Sequence, residues 1–563
     1  MGLKAWSIPL HESHREIEAA EPLKAFVGTF TTSFAIPWPP SLAIPDRLRV
    51  PWAPMRQLLR ASCILAVAVA TTAGASGAQK APTITAAMGP LNTGIWYHDL
   101  GSSAANQIEA ERIRAAGAGI ARIYLYWSSV APSGSKPPTG FQPRNPADPN
   151  YRWQSFDAQI QTVSAAGLQP MMQILSAPAW AEDGAPGTYP AGTYKPSPTA
   201  LADFAAAAAE RYSGSFEGLP RVRYWEAWNE PNLSAYLSPQ VENGELFTPS
   251  WYRSMLNGAA DAIHSVHADN VVIAGDTSPF GVTNARLGEA MKPLVFMEKV
   301  LCVAEKKIKD RKTGTVTIAY KSTCKAKAKF DVWSHHPYTE GGPSSKAKVR
   351  DNASLGDMGE VRTVLNTAIK ANHVVSNGKV RLWVTEFAWD SNPPDPKGVP
   401  ASLEARWVSE ALYRMWANGV SLFVWVQLRD EPYPISYYQS GLYYANPAGI
   451  ASDRPKPALR SFRFPFVALS QVLKGKKAVF VWGRTPTSKA AIVLIERKTA
   501  GKWKRVETMR ANRYGIFQLR IMALPKKTAY MRARLSDGSD VSNPFALRAP
   551  KVGWTGCIFG TCT

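Results

Sequence analysis

From about residue 88 to 470 the chain alternates short apolar runs with stretches in which apolar residues recur every three or four positions. Gly119-Ile120-Ala121-Arg122-Ile123-Tyr124-Leu125-Tyr126-Trp127 is apolar at almost every position. That is the pattern of a strand buried on both faces, and it follows a helical pattern over 105–116. Gln169 to Leu175 reads the same way. Ser197-Pro198 then opens a helix, because a serine hydroxyl caps free N–H groups and proline fits the first turn. Leu201, Phe204, Ala208 and Tyr212 share one face of it. Further strands are expected at 223–227, 271–274, 330–333, 381–385 and 421–426, and Gly94–Tyr97 completes eight. Eight βα units in one span predict an α/β fold, a (β/α)8 TIM barrel over 88–470, with its active site at the C-terminal strand ends. A Rossmann sheet is the weaker alternative, since no glycine-rich phosphate loop appears.

Beyond residue 470 the period changes. Val479–Trp482, Ala491–Ile495, Gly515–Leu519 and Tyr530–Leu535 are short runs separated by turn residues. They predict a small β-sandwich over 471–550, resembling fibronectin type III or immunoglobulin-like modules, and 551–563 form a tail with a cysteine pair. At the other end, Met55-Arg56-Gln57-Leu58-Leu59-Arg60 is a basic segment followed by the apolar Cys63–Ala70 and the small residues Ala73-Gly74-Ala75 and Ser76-Gly77-Ala78. This order is that of a signal peptide over 55–78, too short for a spanning helix. The preceding 1–54 hold eight prolines and no sustained period, so they are expected to be a disordered or non-native leader, with translation starting at Met55.

Charge sharpens this division. The chain has 65 Lys and Arg against 43 Asp and Glu, a net of +22. Residues 301–330 carry nine basic residues against Glu305 and Asp310, and 471–563 carry nineteen against four acids. Those two stretches account for the whole excess, so the rest of the chain is neutral. Basic surfaces of this kind bind polyanions or simply solubilise. An anionic cell-envelope polymer is the candidate partner for the C-terminal region; nucleic acid is not expected, since no recognised motif accompanies the charge. Outside the signal, Cys302, Cys324, Cys557 and Cys562 form two local pairs, read as disulfides of an exported protein. Their spacing does not suit zinc, and no metal or cofactor is expected.

Chemistry gathers at the strand ends. The fourth strand closes as Tyr224-Trp225-Glu226-Ala227-Trp228-Asn229-Glu230-Pro231-Asn232, and the seventh as Leu382-Trp383-Val384-Thr385-Glu386-Phe387-Ala388-Trp389. Each sets a glutamate just past a buried strand. Two carboxylates facing across one pocket are what glycoside cleavage requires, one to protonate the leaving oxygen and one for the anomeric carbon. Glu226 is expected to face away from Glu230.

Trp-Asn-Glu-Pro at 228–231 and Thr-Glu-Phe at 385–387 resemble the acid/base and nucleophile motifs of clan A retaining glycoside hydrolases. Ser334-His335-His336-Pro337-Tyr338 resembles the clan's His-x-Tyr, Trp425 stands where the clan places a sugar-stacking tryptophan, and Arg122 where family 5 keeps an arginine. The barrel is similar to family 39, family 5 and bacterial biofilm-polysaccharide hydrolases. The resemblance implies Glu230 as general acid/base, with its pKa raised by the charge on Glu386. Glu386 becomes the nucleophile, kept ionised by Arg122 and Tyr338. Asn229 is implied to bind the sugar 2-hydroxyl, His336 to support a carboxylate or the sugar, and Trp425 and Trp180 to offer ring faces to the substrate. The expected function is a secreted retaining hydrolase of a poly- or oligosaccharide. Its alternatives are a transglycosylase with the same carboxylates and a catalytically idle glycan-binding protein. If the export signal is read correctly, secreted protein starts at Ser76 or Gln79 by N-terminal sequencing or mass spectrometry. Peptides from residues 1–50 in extracellular protein would overturn that reading.

Overall fold

The computed structural model describes residues 89–548, apart from 283–289, 310–312, 315, 437, 474, 523 and 525–527, together with the short strands 557–558 and 561–562. The leader and the signal segment therefore lie outside the described residues. Eight parallel strands close into a barrel in chain order: β1 (Asn92–Trp96), β2 (Ile120–Tyr126), β3 (Gln169–Leu175), β4 (Tyr224–Ala227), β5 (Val271–Thr277), β6 (Val332–His335), β7 (Arg381–Val384) and β8 (Val420–Trp425), which pairs back with β1. A helix follows each strand: α1 (Ser103–Ala115), α2 (Gln154–Ala165), α3 (Pro198–Arg211), α4 (Thr248–Val266), α5 (Pro293–Val300), α6 (Met358–Lys370), α7 (Ala401–Ala417) and α8 (Pro457–Arg463). The expected cap of α3 is present, with Ser197 accepting from the Ala200 N–H and Leu201, Phe204 and Ala208 buried.

The period-two alternation of each strand sorts the interior into layers. Ile120, Met171, Val332, Trp383, Leu422 and Val424 fill the lower barrel with apolar volume. Two residues further along four of the same strands, the inward positions become Arg122, Gln173, Ser334 and Thr385, all fully buried, and β4 adds Glu226. The barrel is thus plugged by hydrocarbon below and polar above, and the polar layer is the floor on which the strand-end residues stand. Strand β5 runs to Thr277, beyond the expected end at 274, and so carries Asp276 into that layer.

After α8 the chain forms two antiparallel sheets. Strands β9 (Phe466–Leu473), β10 (Lys476–Arg484) and β13 (Ile516–Met522) make one. Strands β11 (Ile492–Thr499), β12 (Lys502–Arg510), β14 (Tyr530–Leu535) and β15 (Phe545–Ala546) make the other. The first begins at Phe466, inside the span expected for the barrel. It docks on α7, where Trp482 packs against Tyr413 and Trp416 with ring centroids 5.6 Å apart in both pairs. Arg484, fully buried, donates to Leu91 O and Thr93 Oγ1 at the start of β1 and to Phe462 O in α8. Between α5 and β6, the basic insertion is a hairpin of Val303–Lys309 and Val316–Ser322, closed at its base by a Cys302–Cys324 disulfide. The expected Cys557–Cys562 bridge concerns side chains outside the described residues; the backbone pairs those two positions in register.

The long segment after β8 is anchored by a buried ion pair. Lys456 Nζ donates to Asp430 Oδ1 at 2.6 Å and to Gln439 O at 2.8 Å, with both side chains almost wholly shielded. Burial pushes Glu404, close by, up to about 8, so it adds no charge near neutrality. Removing only the cation strands a buried carboxylate, a loss of about 3–5 kcal/mol. Lys456→Met should therefore lower the midpoint of urea unfolding markedly, and an unchanged midpoint would refute this anchor.

Candidate active site

Strand ends β4 to β7 meet in one constellation. At the end of β4, Trp228 and Glu230 adopt left-handed backbone conformations, φ 80° and 34°, and Asp276 on β5 does so at 44°. Such residues cost about 1–3 kcal/mol each and persist only where the surroundings hold them. The Trp228 indole donates to Tyr236 O at 2.7 Å, and the Glu230 N–H donates to Asp276 O at 3.0 Å. Gly275 precedes Asp276 at φ +95°, where a Cβ would meet Ser334 O at 2.5 Å. Only glycine lets β5 turn against β6 there.

Glu386 is surrounded by donors. Arg122 Nη1 lies 3.0 Å and the Tyr124 hydroxyl 3.2 Å from Oε2, and the Tyr338 hydroxyl donates to Oε1 at 2.8 Å. Burial alone would raise its pKa; the Arg122 guanidinium and the hydrogen bond from Tyr338 outweigh it and hold Glu386 below the usual carboxylate range. Glu230 differs. Its Oε1 meets His336 Nδ1 at 3.0 Å. Burial first, and the charge of Glu386 second, push its pKa well above the ordinary value. The expectation that Glu386 supplies this rise is corrected in rank, since desolvation leads. Each carboxylate still exposes 12–13% of its side chain to the cleft.

The sequence assigns Asn229, Arg122, His336 and Tyr338 to this centre, and all four are found there. Asn229 Oδ1 accepts from Gln173 Nε2 at 3.1 Å, which fixes the amide and leaves Nδ2 without a hydrogen bond among the described residues. His336 is buried, and burial lowers its pKa to about 3, so it is neutral. Trp425 is corrected: it is fully buried, donates its indole N–H to Ser440 O at 2.7 Å, and packs edge-on to Phe387 and Phe462, with no ring face open to a sugar. Trp180 is half-buried in an aromatic cluster with Trp127 and Phe141, its N–H on Pro132 O. Glu226 is corrected as well. It shares the inner face of β4 and takes Arg122 Nε at 2.7 Å, directly beneath the pair. Burial pushes Glu226 up to about 8 against the pull of Arg122.

Tyr124, Gln173 and Asp276 escaped the sequence reading. Tyr124 lies two positions from Arg122 and Gln173 two from Met171, so the inward period alone points to both. No group of three or more His, Cys, Asp or Glu suited to a metal ion occurs among the described residues.

No protein-family model matches the chain, and no curated protein matches it. Solved structures similar to it include a family 39 glycoside hydrolase from the gut symbiont Bacteroides cellulosilyticus WH2, at 15% identity over 77% of this chain and 81% of that one, TM-score 0.44. The GH39 enzyme from Xanthomonas axonopodis pv. citri is similar at 14% identity over 77% and 92%, TM-score 0.41. The β-glycosidase of the hyperthermophile Thermosphaera aggregans is similar at 15% identity over 64% and 84%, TM-score 0.40. These neighbours are glycosidases by name, two of them of family 39. At such identities and scores, the functional reading rests on the chain's own side chains.

Proposed function

We propose that this chain is an exported retaining glycoside hydrolase in which Glu386 is the nucleophile and Glu230 the acid and base. The observation that carries the reading is the opposed environments of two facing carboxylates, one held ionised by Arg122, Tyr124 and Tyr338 and one held protonated by burial. Environments that split a carboxyl pair in this way assign the acid and the nucleophile. Spacing supports retention. His336 Nδ1 is 3.0 Å from Glu230 Oε1 and 3.8 Å from Glu386 Oε2. Those oxygens are no further apart than the two contacts laid end to end, a limit that excludes most of the ~6.5–9.5 Å range of inverting pairs.

In the first step a Glu386 oxygen attacks the anomeric carbon while the glycosidic C–O bond breaks and Glu230 gives its proton to the departing oxygen. The sugar is then esterified to Glu386, whose negative charge is gone. Part of what raised Glu230 disappears with it, so the Glu230 carboxylate is better kept ionised. It takes a proton from water as the water oxygen attacks the anomeric carbon, freeing Glu386 and returning the proton to Glu230. The free Nδ2 of Asn229 suits a sugar hydroxyl beside that carbon. The Cys302–Cys324 bridge supports export, since such bonds persist in oxidising compartments.

Glu386→Gln should be nearly inactive. Glu230→Ala should lose least activity on substrates with acidic leaving groups, which need no protonation, and azide should restore part of its deglycosylation. Proton NMR of the first product should give the starting anomeric configuration; inverted product, or near wild-type turnover by Glu386→Gln, would overturn the assignment. In pH profiles, activity should fall on the acid side as Glu386 gains a proton and on the alkaline side as Glu230 loses one.

The C-terminal sheets, read as a β-sandwich, are the proposed contact with an anionic polymer. Cross-strand register sets Lys498, Arg505, Arg510, Arg532 and Arg534 on one face of β11, β12 and β14. The facing acid is Glu496, already paired with Arg532 and Arg534 at 2.7 and 3.2 Å. Trp503 lies on the same face under Arg532. The triple variant Lys498→Glu, Arg505→Glu, Arg510→Glu should lose binding to an acidic polysaccharide at low salt and keep activity on small aryl glycosides. Undiminished binding would mean that the charge only solubilises.

A further inference from the structure

A chain of hydrogen bonds runs from a buried carboxylate to Glu230 that the double displacement does not use. The Thr385 hydroxyl is 2.6 Å from Asp276 Oδ1, His336 Nε2 is 3.2 Å from Thr385 Oγ1, and His336 Nδ1 is 3.0 Å from Glu230 Oε1. Asp276, Thr385 and His336 are all fully buried, so no solvent competes for these bonds.

Proton counting fixes the direction of the chain. A hydroxyl has one proton to give and two lone pairs to receive. A carboxylate has no proton, so at 2.6 Å the Thr385 proton goes to Asp276. Burial raises Asp276, opposed by Arg122 and by hydrogen bonds from the Thr385 and Ser334 hydroxyls, so its oxygens face donors and act as acceptors. The Thr385 oxygen is left as an acceptor, its other neighbours being the Ser334 hydroxyl and the Glu226 carboxyl, which burial keeps protonated and so also a donor. The Nε2 facing it must then carry the imidazole hydrogen. His336 is neutral, so its Nδ1 is a bare lone pair, and that lone pair faces Glu230. A carboxylic acid can donate to it; a carboxylate there meets a second acceptor.

We propose that Asp276 and Thr385 are positioning residues that lock His336 in its Nε2–H tautomer, so that its Nδ1 accepts a hydrogen bond from the Glu230 carboxyl and holds that residue in the acid form before substrate arrives. Neither touches the reacting atoms; they act through the imidazole. The charged groups facing Glu230 are Glu386, Arg122 and Asp276. The phenols of Tyr236, Tyr338 and Tyr438 also face it, and burial raises each of them, so all three are neutral. The inference rests on Glu230 being the acid, and its tests separate from the test of that reading.

The first test needs no substrate. In 15N spectra of the wild-type enzyme at pH 7, with His336 assigned by comparison with His336→Gln, the imidazole should be neutral with its hydrogen on Nε2. A hydrogen on Nδ1 would overturn the proposal whatever the enzyme hydrolyses. The second uses Thr385→Val, which removes the hydroxyl at nearly constant volume and frees the ring to turn its hydrogen toward Glu230. The alkaline limb of kcat/KM should then move down by about one pH unit, while the acid limb set by Glu386 stays. The loss should be largest on substrates with poor leaving groups, and Thr385→Ser should restore the wild-type profile. An alkaline limb at its wild-type position in Thr385→Val, or equal losses on good and poor leaving groups, would overturn the lock. Should Thr385→Val not fold, the wild-type spectrum alone decides. Full activity of the Glu230→Ala enzyme on poor leaving groups would instead remove the functional reading and leave the tautomer result standing.

Discussion

One buried cation organises the centre of this barrel. Arg122 is fully shielded and reaches two carboxylates, Glu226 through Nε and Glu386 through Nη1. Glu230 and Asp276 feel its field from further away. In a medium of low dielectric, one guanidinium cannot keep four carboxylates ionised, so burial decides which of them stay protonated. Glu386 collects the guanidinium together with two phenol donors and remains an anion. Glu226 and Glu230 are pushed above their ordinary range and remain acids. The division between nucleophile and acid thus follows from the placing of one arginine on the inner face of β2, two residues below Tyr124.

That placing depends on the layers beneath. The inward positions change from apolar to polar between Ile120 and Arg122, Met171 and Gln173, Val332 and Ser334, and Trp383 and Thr385. Because the change falls at the same height on several strands, the polar groups find one another instead of facing hydrocarbon. Above them the chain departs from strand geometry at Trp228, Glu230 and Asp276, and the cost of those left-handed residues is offset by hydrogen bonds between neighbouring strand ends. The reactive carboxylates are therefore held by backbone that belongs to the barrel itself.

Much of this was legible in the sequence, for identifiable reasons. The eight strands are buried on both faces and read as apolar runs, and Glu230 and Glu386 stand out because each follows such a run directly. The errors have separate causes. Period two tells which residues point inward but not how high they sit or whether solvent reaches them. Trp425 points into aromatic packing, because the segment after β8 folds back and covers it through Ser440. Glu226 was turned to the wrong face although it has the parity of Tyr224 and of Glu230. Asp276 lies past the end expected at 274, where the left-handed turn at Gly275 carries β5 on to the site.

The chain from Asp276 adds a constraint that charge alone does not supply. Electrostatics favours a protonated Glu230 while Glu386 is an anion, and that preference weakens once Glu386 is esterified. A fixed imidazole lone pair favours the proton in both states, because it depends on Asp276, which takes no part in either bond change. The acid is thereby reloaded by geometry at the end of each cycle, and the same lone pair opposes the carboxylate needed in the second step. Rapid deglycosylation then requires that opposition to be smaller than the relief gained when Glu386 loses its charge. The distances allow this ordering: His336 meets Glu230 by a single bond to one oxygen, leaving the other, partly open to the cleft, to accept from water.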